Sequence, residues 1–189
     1  MELNEAIIQR RSIRKFQNKT VSREVLERVL KAALWAPSAQ NLQNWYFIVL
    51  GGQEKNGLLA VLQLEFTRLL LALQDSAPWT AAQRTNWFLQ SAFEAPVLIA
   101  AFSDSPSDVN PDAPLSVAVA VQNLLLAAWS EGLGSCWFTS GLYAVQDTLS
   151  AHLGVQDMEL VGLVILGYPA EVPAPFPRRK GRVEWRLGL

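Results

Sequence analysis

The chain has 189 residues, which predicts one domain with a substantial core rather than two. Half of the residues are apolar and only 17% are charged, so we expect an excess of buried or interface-forming surface, which favours an oligomer. A net charge of −1 argues against a nucleic-acid partner, and the single cysteine, Cys136, excludes an internal disulfide and favours a reducing, cytoplasmic location.

The first predicted elements are two helices and a strand. We expect Asn4 to cap a short helix that ends at Gln9, and Ser22 to cap a longer one in which apolar residues recur at spacings of three and four. Pro37 stops that second helix. Residues 45–50 form an aromatic and β-branched run closed by two glycines, which indicates a strand.

The rest of the chain alternates between helices and strands. The predicted elements are, in order, a helix over 53–74, a break over 77–80, a helix over 81–93, a strand over 96–102, a loop over 103–114, an apolar helix over 115–129 ended by Gly132, a helix within 140–153 and a strand over 160–167. The apolar helix is shorter than the roughly 20 residues of a membrane span, so we expect no membrane partner. The tail from Pro169 contains four prolines and is expected to lie extended across a surface. Trp35 and Trp129 are expected in the core.

Lysine and arginine are concentrated near the two ends of the chain. Eight of the sixteen lie between Arg10 and Lys31, five lie between Arg178 and Arg186, and none occurs over 85–177. If the two ends meet in space, they form a compact positive pocket, which suits a small phosphorylated ligand better than a polyanion. The alternative is that these are ordinary solvated charges.

Several familiar kinds of site are missing from the sequence. No G-x-G-x-x-G follows a predicted strand, and there is no G-x-x-x-x-G-K-[ST] loop for nucleoside triphosphates. His152 is the only histidine, so a histidine-based metal cluster is excluded, and we expect both His152 and Cys136 to be structural. The N-terminus shows no secretory-signal pattern. Any chemistry is therefore expected to come from a cofactor, and no metal site is predicted.

Five segments carry a resemblance to a known family. They are RRSIRKF over 10–16, PSAQNLQNW over 37–45, EAPVLI over 94–99, GLGSCW over 132–137 and GYPA over 167–170. In order and spacing they resemble the FMN-dependent nitroreductase family, from residue 4 to about residue 182. The resemblance implies one FMN-binding domain over 1–189 with an α+β fold, in which helices flank a central mixed, mainly antiparallel sheet. It also implies an intertwined homodimer with FMN at the interface.

The resemblance also assigns roles at the N-terminus. Arg10 and Ser12 would contact the FMN phosphate, since a guanidinium donates in pairs to phosphate oxygens. Arg14 would lie near flavin N1 and the C2 carbonyl, where a fixed cation stabilises the reduced flavin and raises its reduction potential. Arg11 belongs to the implied cofactor-binding set, with solvent exposure as its alternative.

Further cofactor contacts are implied elsewhere in the chain. Arg178 and Arg179 of the tail would add phosphate contacts, and Gly134 and Ser135 would place a backbone amide near flavin N5. The residues implied to line the ring from the opposite subunit are Pro37, Ser38, Ala39, Gln40, Asn41 and Gln43. Asn44 stands where the family usually has proline, so the rigidity of this loop differs from the family pattern.

The implied reaction passes hydride from NAD(P)H to flavin N5 and then to a small electron-poor acceptor, such as a nitroaromatic or a quinone. No side chain is expected to act as acid or base; Arg14, Gly134 and Ser135 only tune the flavin. A flat apolar substrate lid is expected, with core or dimer packing as its alternative, from Phe66, Trp79, Trp87 and Phe88.

Two alternative functions remain open at this point. One is an FMN-binding relative that cleaves its own reduced flavin with oxygen or dehalogenates an aromatic substrate. The other is a non-catalytic flavin-binding protein. The sequence distinguishes neither the physiological acceptor nor NADH from NADPH.

Overall fold

The structure is a computed structural model that describes residues 2–72 and 79–188, without the side chains of 70, 72 and 79–84. Six α-helices occur in this part of the chain: α1 Leu3–Gln9, α2 Arg23–Leu34, α3 Gly52–Ala72, α4 Trp79–Glu94, α5 Ala113–Ser130 and α6 Gln146–Leu153. Four strands accompany them: β1 Trp45–Gly51, β2 Val97–Ser103, β3 Gly134–Phe138 and β4 Glu159–Gly167. The tail after β4 has no regular secondary structure up to residue 188.

The four strands form one sheet in the order β1-β2-β4-β3. Each neighbouring pair is antiparallel, and β2 and β4 occupy the centre. The parallel contact is an isolated bridge between Ser12 and Ser135, which adds the N-terminal segment beside β3. The expected α+β fold with a mainly antiparallel sheet is therefore confirmed.

Helices cover both faces of the sheet. Helices α2 and α5 pack on one face, where Val97, Ile99 and Ala101 of β2 point. Helices α3, α4 and α6 supply the core on the other face, around Leu98, Ala100 and Phe102. Successive side chains of β2 point to opposite faces of the sheet, and helices cover both faces, so every residue of the strand is buried.

Helix α5 is the one described helix that is long and apolar enough to cross a membrane. Such a helix is weak evidence for a membrane span, because the core helix of a soluble protein has the same composition. The residues that it buries are Ala113, Ser116, Val117, Ala120, Val121, Leu124, Leu125 and Ala128. They pack against α2 and the sheet, so α5 is a core helix.

The helix ends follow capping chemistry, with one correction. Ser22 caps α2 as predicted and accepts a hydrogen bond from the amide of Val25. The cap of α1 is Glu2 rather than Asn4, because Glu2 and Glu5 bond each other's backbone amides in a capping box. Gly132 has φ 76° after α5, which a helix-ending motif requires.

Three other expectations need correction. Strand β3 was not predicted, since only the end of its sequence is apolar. The predicted break over 77–80 falls partly on residues outside the description, and α4 already begins at Trp79. Trp35 is 80% exposed rather than buried, because it lies just beyond the end of α2, past the apolar stripe. Trp129, by contrast, packs against the core as expected.

Candidate functional site

The N-terminal segment 10–16 is fixed at one edge of the sheet. The amide of Ile13 donates to the carbonyl of Ser135 at 2.9 Å, at the start of β3. The amide of Ala170, just after β4, donates to the carbonyl of Lys15 at 2.9 Å. The segment therefore lies between the beginning of β3 and the chain that leaves β4.

Apolar anchors decide which side chains of this segment face outward. Ile13 is fully buried and Phe16 is 8% exposed, and both belong to the core cluster under α3, α4 and α6. A Cβ at Gly134 would lie 2.6 Å from Ile13 Cγ1, so only glycine allows this close approach. Arg14 and Lys15, between the anchors, remain exposed to the solvent side.

Arginines from both ends of the chain lie within electrostatic reach of Arg10. Burial lowers the pKa of Arg10, and the charges of Arg11 and Arg178 lower it further. Among the described residues, Arg10, Arg14 and Arg178 form no ion pair with a carboxylate. These guanidiniums therefore have donors and charge available for an anion. Arg179 is exposed in the tail.

Arg11 is turned toward the backbone instead. Its Nη1 donates to the carbonyls of Ile8 and Arg10, at 2.7 and 2.9 Å, which places the cation at the C-terminal end of α1. Its Nε is buried without a partner in the described chain. Arg11 thus acts as a cap for α1.

Cys136 lies beside the arginine cluster and is 7% exposed. Burial raises the pKa of its thiol, while the charge of Arg14, a hydrogen bond with Ser12 and the charge of Arg10 oppose that shift. Ser12, Arg10 and Arg14 therefore all lie within interaction range of this thiol on β3. The sequence pattern indicated only a packed thiol there.

A cavity of about 690 Å³ opens next to this cluster. Its lining comes from the N-terminal segment, α4, β3 and the start of the tail: Arg14, Lys15, Trp87, Phe88, Gln90, Ser91, Glu94, Cys136, Trp137, Phe138, Thr139, Ser140, Ile165 and Glu171. The volume lies within the roughly 300–1,000 Å³ that ligand pockets occupy. Lys15 and Glu171 pair at 3.0 Å in this lining.

Aromatic side chains form one wall of the cavity. The rings of Phe88 and Phe138 stack with their centroids 4.0 Å apart and their planes 9° apart. Trp87 also lines the cavity and is 59% exposed. Phe66 lies in the core, 5% exposed, and does not line it. Trp79 begins α4, but its side chain lies outside the described atoms.

The loop 37–43 adopts a strained conformation in another part of the molecule. Gln40, Asn41 and Gln43 have φ of 54°, 57° and 52°, in the left-handed region that costs a non-glycine residue about 1–2 kcal/mol. Such clusters of strain occur at functional sites. No residue of the loop belongs to the lining of the 690 Å³ cavity.

Hydrogen bonds hold this loop in place. Asn44 is 2% exposed, and its Nδ2 donates to Ser103 Oγ at 2.8 Å and to the carbonyl of Ala113 at 3.1 Å. Ser116 Oγ accepts from the amide of Ala39 at 3.1 Å. Asn44 thus holds the loop against β2 and α5. These hydrogen bonds restrain the loop where the family usually has a proline.

Gly134 and Ser135 belong to β3 itself. Gly134 does not have a positive φ, so its requirement for glycine comes from Ile13 rather than from a turn. Ser135 is 1% exposed, and its carbonyl is occupied by Ile13. Sequence reasoning missed Lys15, Glu94 and the end of β3 as cavity residues, because their meeting depends on how α4 lies over β3.

Comparison with known proteins identifies the family. Residues 7–168 match the family model described as "Nitroreductase family". The chain belongs to the nitroreductase family. A relative of this nitroreductase-family chain from Methanothermobacter thermautotrophicus, provisionally named as an NADH dehydrogenase/NAD(P)H nitroreductase, is 32% identical over 92% of this chain and 80% of its own length.

Other relatives carry different chemistry in their names. A 5,6-dimethylbenzimidazole synthase of Rhodospirillum rubrum is 30% identical over 91% of this chain and 84% of its own length. An iodotyrosine deiodinase of Thermotoga neapolitana is 28% identical, over 90% of each chain. Membership of the family therefore leaves the specific reaction open.

Solved structures share the fold of this nitroreductase-family chain. A BluB-like flavoprotein from Clostridium difficile 630 has a TM-score of 0.80 at 27% identity, over 95% of each chain. A provisional nitroreductase from Desulfovibrio desulfuricans, in complex with FMN, has a TM-score of 0.72 at 26% identity, over 95% of this chain and 93% of that one. The expected nitroreductase-like fold is confirmed, and the expected FMN agrees with the ligand of that relative.

Proposed function

We propose that this chain is an FMN-dependent oxidoreductase that takes hydride from NAD(P)H and passes it to an electron-poor acceptor such as a nitroaromatic or a quinone. The observation that carries the proposal is a set of arginines without carboxylate partners beside a cavity with an aromatic wall: Arg14 lines the cavity, and Arg10 lies within electrostatic reach of Arg178. This donor set fits a ligand that has a phosphate at one end and a planar ring at the other. When bound, FMN supplies N5, the atom that accepts and donates hydride.

The chain's own residues would hold the cofactor by charge and shape. Arg10, Ser12 and Arg178 bind the phosphate, with Arg179 near them in the tail. Arg14 provides a fixed cation at the cavity wall, and Gly134 and Ser135 present β3 backbone to the ring. No proton donor of the protein is needed in the reductive step, which agrees with the exposed position of His152 on α6.

We propose further that a second copy completes the site, as one 1–189 domain of an intertwined homodimer. The loop 37–43 is strained but does not line the 690 Å³ cavity of its own chain, so we assign its ligand contacts to the site of a partner subunit. Helix α5 leaves Leu115 and Val119 exposed, at 63% and 43%. These apolar residues would be covered by the partner.

The tail supports the same dimer. Its last apolar residues, Val183, Trp185 and Leu187, alternate with polar ones and are 65–77% exposed. Such alternation is typical of a strand with one buried face. Strand β1 is an edge of the sheet with no second partner in the described chain. If the tail of the second copy paired with β1, it would bury its own apolar residues and fill the free edge of the sheet. Light scattering should then show a dimer for the full chain and a monomer for a chain truncated after residue 181.

The function is tested by absorption spectroscopy of the purified protein. Flavin bands that bleach on anaerobic addition of NADH or NADPH are expected, followed by reoxidation with a quinone. A colourless protein that FMN does not reconstitute would overturn the proposal. For Arg14→Ala we expect weaker FMN binding and a lower flavin reduction potential, with Arg23→Ala, on the exposed side of α2, as the control. An unchanged potential would remove the electrostatic role of Arg14.

The second candidate is a different reaction on the same cofactor, favoured by the names of the Rhodospirillum and Thermotoga relatives. Product analysis after aerobic reduction distinguishes these reactions from hydride transfer to a nitroaromatic or a quinone. A flavin that survives many turnovers excludes cleavage of the cofactor, and release of halide from a halogenated phenol would indicate dehalogenation. A bound flavin that neither nicotinamide reduces would instead indicate a non-catalytic protein.

A further inference from the structure

One face of α4 presents a row of side chains to the cavity. Trp87, Gln90, Ser91 and Glu94 all line it, and their spacings of three, four and seven residues place them on a single helical stripe. The row runs from a flat indole to a carboxylate about 10 Å farther along the helix axis. The α4 wall therefore has an aromatic end and an acidic end.

Hydrogen-bond acceptors dominate the acidic end. Ser91 donates its hydroxyl proton to the carbonyl of Trp87 at 2.7 Å, which leaves only oxygen lone pairs for a ligand. Glu94 is exposed and offers a carboxylate. Gln90 is the one residue of this end that can also donate.

The other charges around the cavity have partners or an assigned role. Lys15 pairs with Glu171 at 3.0 Å. Arg14 belongs to the proposed cofactor site. Lys55 lies buried behind the end of α4, but its ammonium donates to main-chain carbonyls and not to Glu94. Within the described chain Glu94 forms no ion pair, so its charge is the one left for an incoming acceptor.

We propose that Glu94 selects the acceptor: the site favours planar, electron-poor aromatics that carry a cationic or hydrogen-bond-donating substituent, and disfavours aromatic carboxylates. The inference rests on the proposed function and adds the substrate class to it. The acceptor's ring lies at Trp87, the aromatic end of the α4 wall, and the substituent lies at Glu94. A carboxylate in the same place would meet the like charge of Glu94, while the two cations of the lining are already engaged, Lys15 by Glu171 and Arg14 by the proposed cofactor.

The test uses three acceptors with the same ring: 4-nitrobenzylamine, 4-nitrobenzyl alcohol and 4-nitrobenzoate. Each is assayed with the FMN-loaded wild type and with Glu94→Gln, and kcat/KM is compared between the proteins for each acceptor, because the acceptors differ in intrinsic reactivity. We expect Glu94→Gln to lower the value for the amine about two- to fivefold, to raise that for the benzoate by a similar factor and to leave the alcohol unchanged. Glu54→Gln, on the exposed first turn of α3, is the matched control.

A binding measurement separates this inference from the proposed function. Dissociation constants of benzylamine and benzoate, which cannot be reduced, are measured by calorimetry on the same oxidised proteins. Tighter binding of benzylamine than benzoate in the wild type, reduced in Glu94→Gln, supports the inference even if no nitro compound is turned over. Loss of turnover of all three acceptors would count against the proposed function only. Equal effects of Glu94→Gln on both charged ligands, in binding and in kcat/KM, would overturn the role of Glu94.

Discussion

Lys55 gives the most direct test of how the α4 wall is held. It lies on α3, 4% exposed, and its Nζ donates to the carbonyls of Ala92 and Phe93 at 2.9 Å each and to that of Ala95. The last carbonyls of a helix have no partner within it. Lys55 therefore supplies the missing donors at the end of α4, where a cation is also favoured by the helix dipole.

Lys55→Met keeps most of the apolar stem but removes all three bonds. Two of the accepting carbonyls, those of Ala92 and Ala95, lie in buried surroundings. An unsatisfied buried group costs about 1–3 kcal/mol, and relief from burying a charge offsets part of that loss. We expect the free energy of unfolding to fall by about 2–4 kcal/mol, measured by urea denaturation followed by circular dichroism.

The difference in the free energy of unfolding between wild type and Lys55→Met should also depend on pH. Burial lowers the pKa of Lys55, so at alkaline pH the unfolded chain binds more protons at this site than the folded chain does. Stability contributed by Lys55 then rises with pH up to its unfolded value, about 10.4. The difference between wild type and Lys55→Met should widen from pH 8 to pH 10. A loss below about 0.5 kcal/mol would refute the capping argument, and a narrowing difference would refute the direction of the pKa shift.

Three further predictions concern the loop, the thiol and the sheet edge. Asn44→Ala should lower the free energy of unfolding by about 1–3 kcal/mol in urea denaturation, because two buried hydrogen bonds are lost; a change within error would contradict its anchoring role. Cys136, the single thiol, should react with a maleimide more slowly in FMN-loaded protein than in the apoprotein, and equal rates would place FMN elsewhere. Gly134→Ala forces a Cβ against Ile13 and displaces segment 10–16, so FMN affinity, measured by fluorescence titration, should fall; an unchanged affinity would contradict this placement.

Local sequence signals predicted the elements that satisfy themselves locally. Helix α2 has a cap at Ser22, an apolar stripe and a stop at Pro37, and the structure follows all three. Strands β1, β2 and β4 are apolar runs bounded by turn residues. Strand β3 lacks such a signal, because Gly134 and Ser135 have low β propensity. These residues form a strand because they pair with the free edge of β4. Trp35 was misplaced for a similar reason, since an apolar residue at a helix end need not face the core.

Some features of the candidate site could likewise be predicted from the sequence, and others depend on tertiary packing. Clustering of charge at the two ends of the chain indicated an anion pocket, and Arg10 and Arg178 do lie within electrostatic reach of each other. No pattern in the sequence placed Glu94 or Cys136 in one cavity with Arg14, because that arrangement depends on how α4, β3 and segment 10–16 pack. The ring contacts expected from 37–43 belong to the proposed dimer, and one sequence does not position a second chain.

The register of β3 against β4 decides which side chains meet the arginines. Trp137 lies opposite Val164, and its indole occupies the space beside Gly162, where a Cβ would be 2.1 Å from Nε1. Only glycine at 162 accommodates the indole there. A slip of one residue would move every side chain of β3 to the opposite face, so Trp137 would replace Cys136 on the α4 side of the sheet. The fit of Trp137 against Gly162 thus fixes the register of β3 on β4, and this register places the thiol of Cys136 and the ring of Phe138 in the cavity.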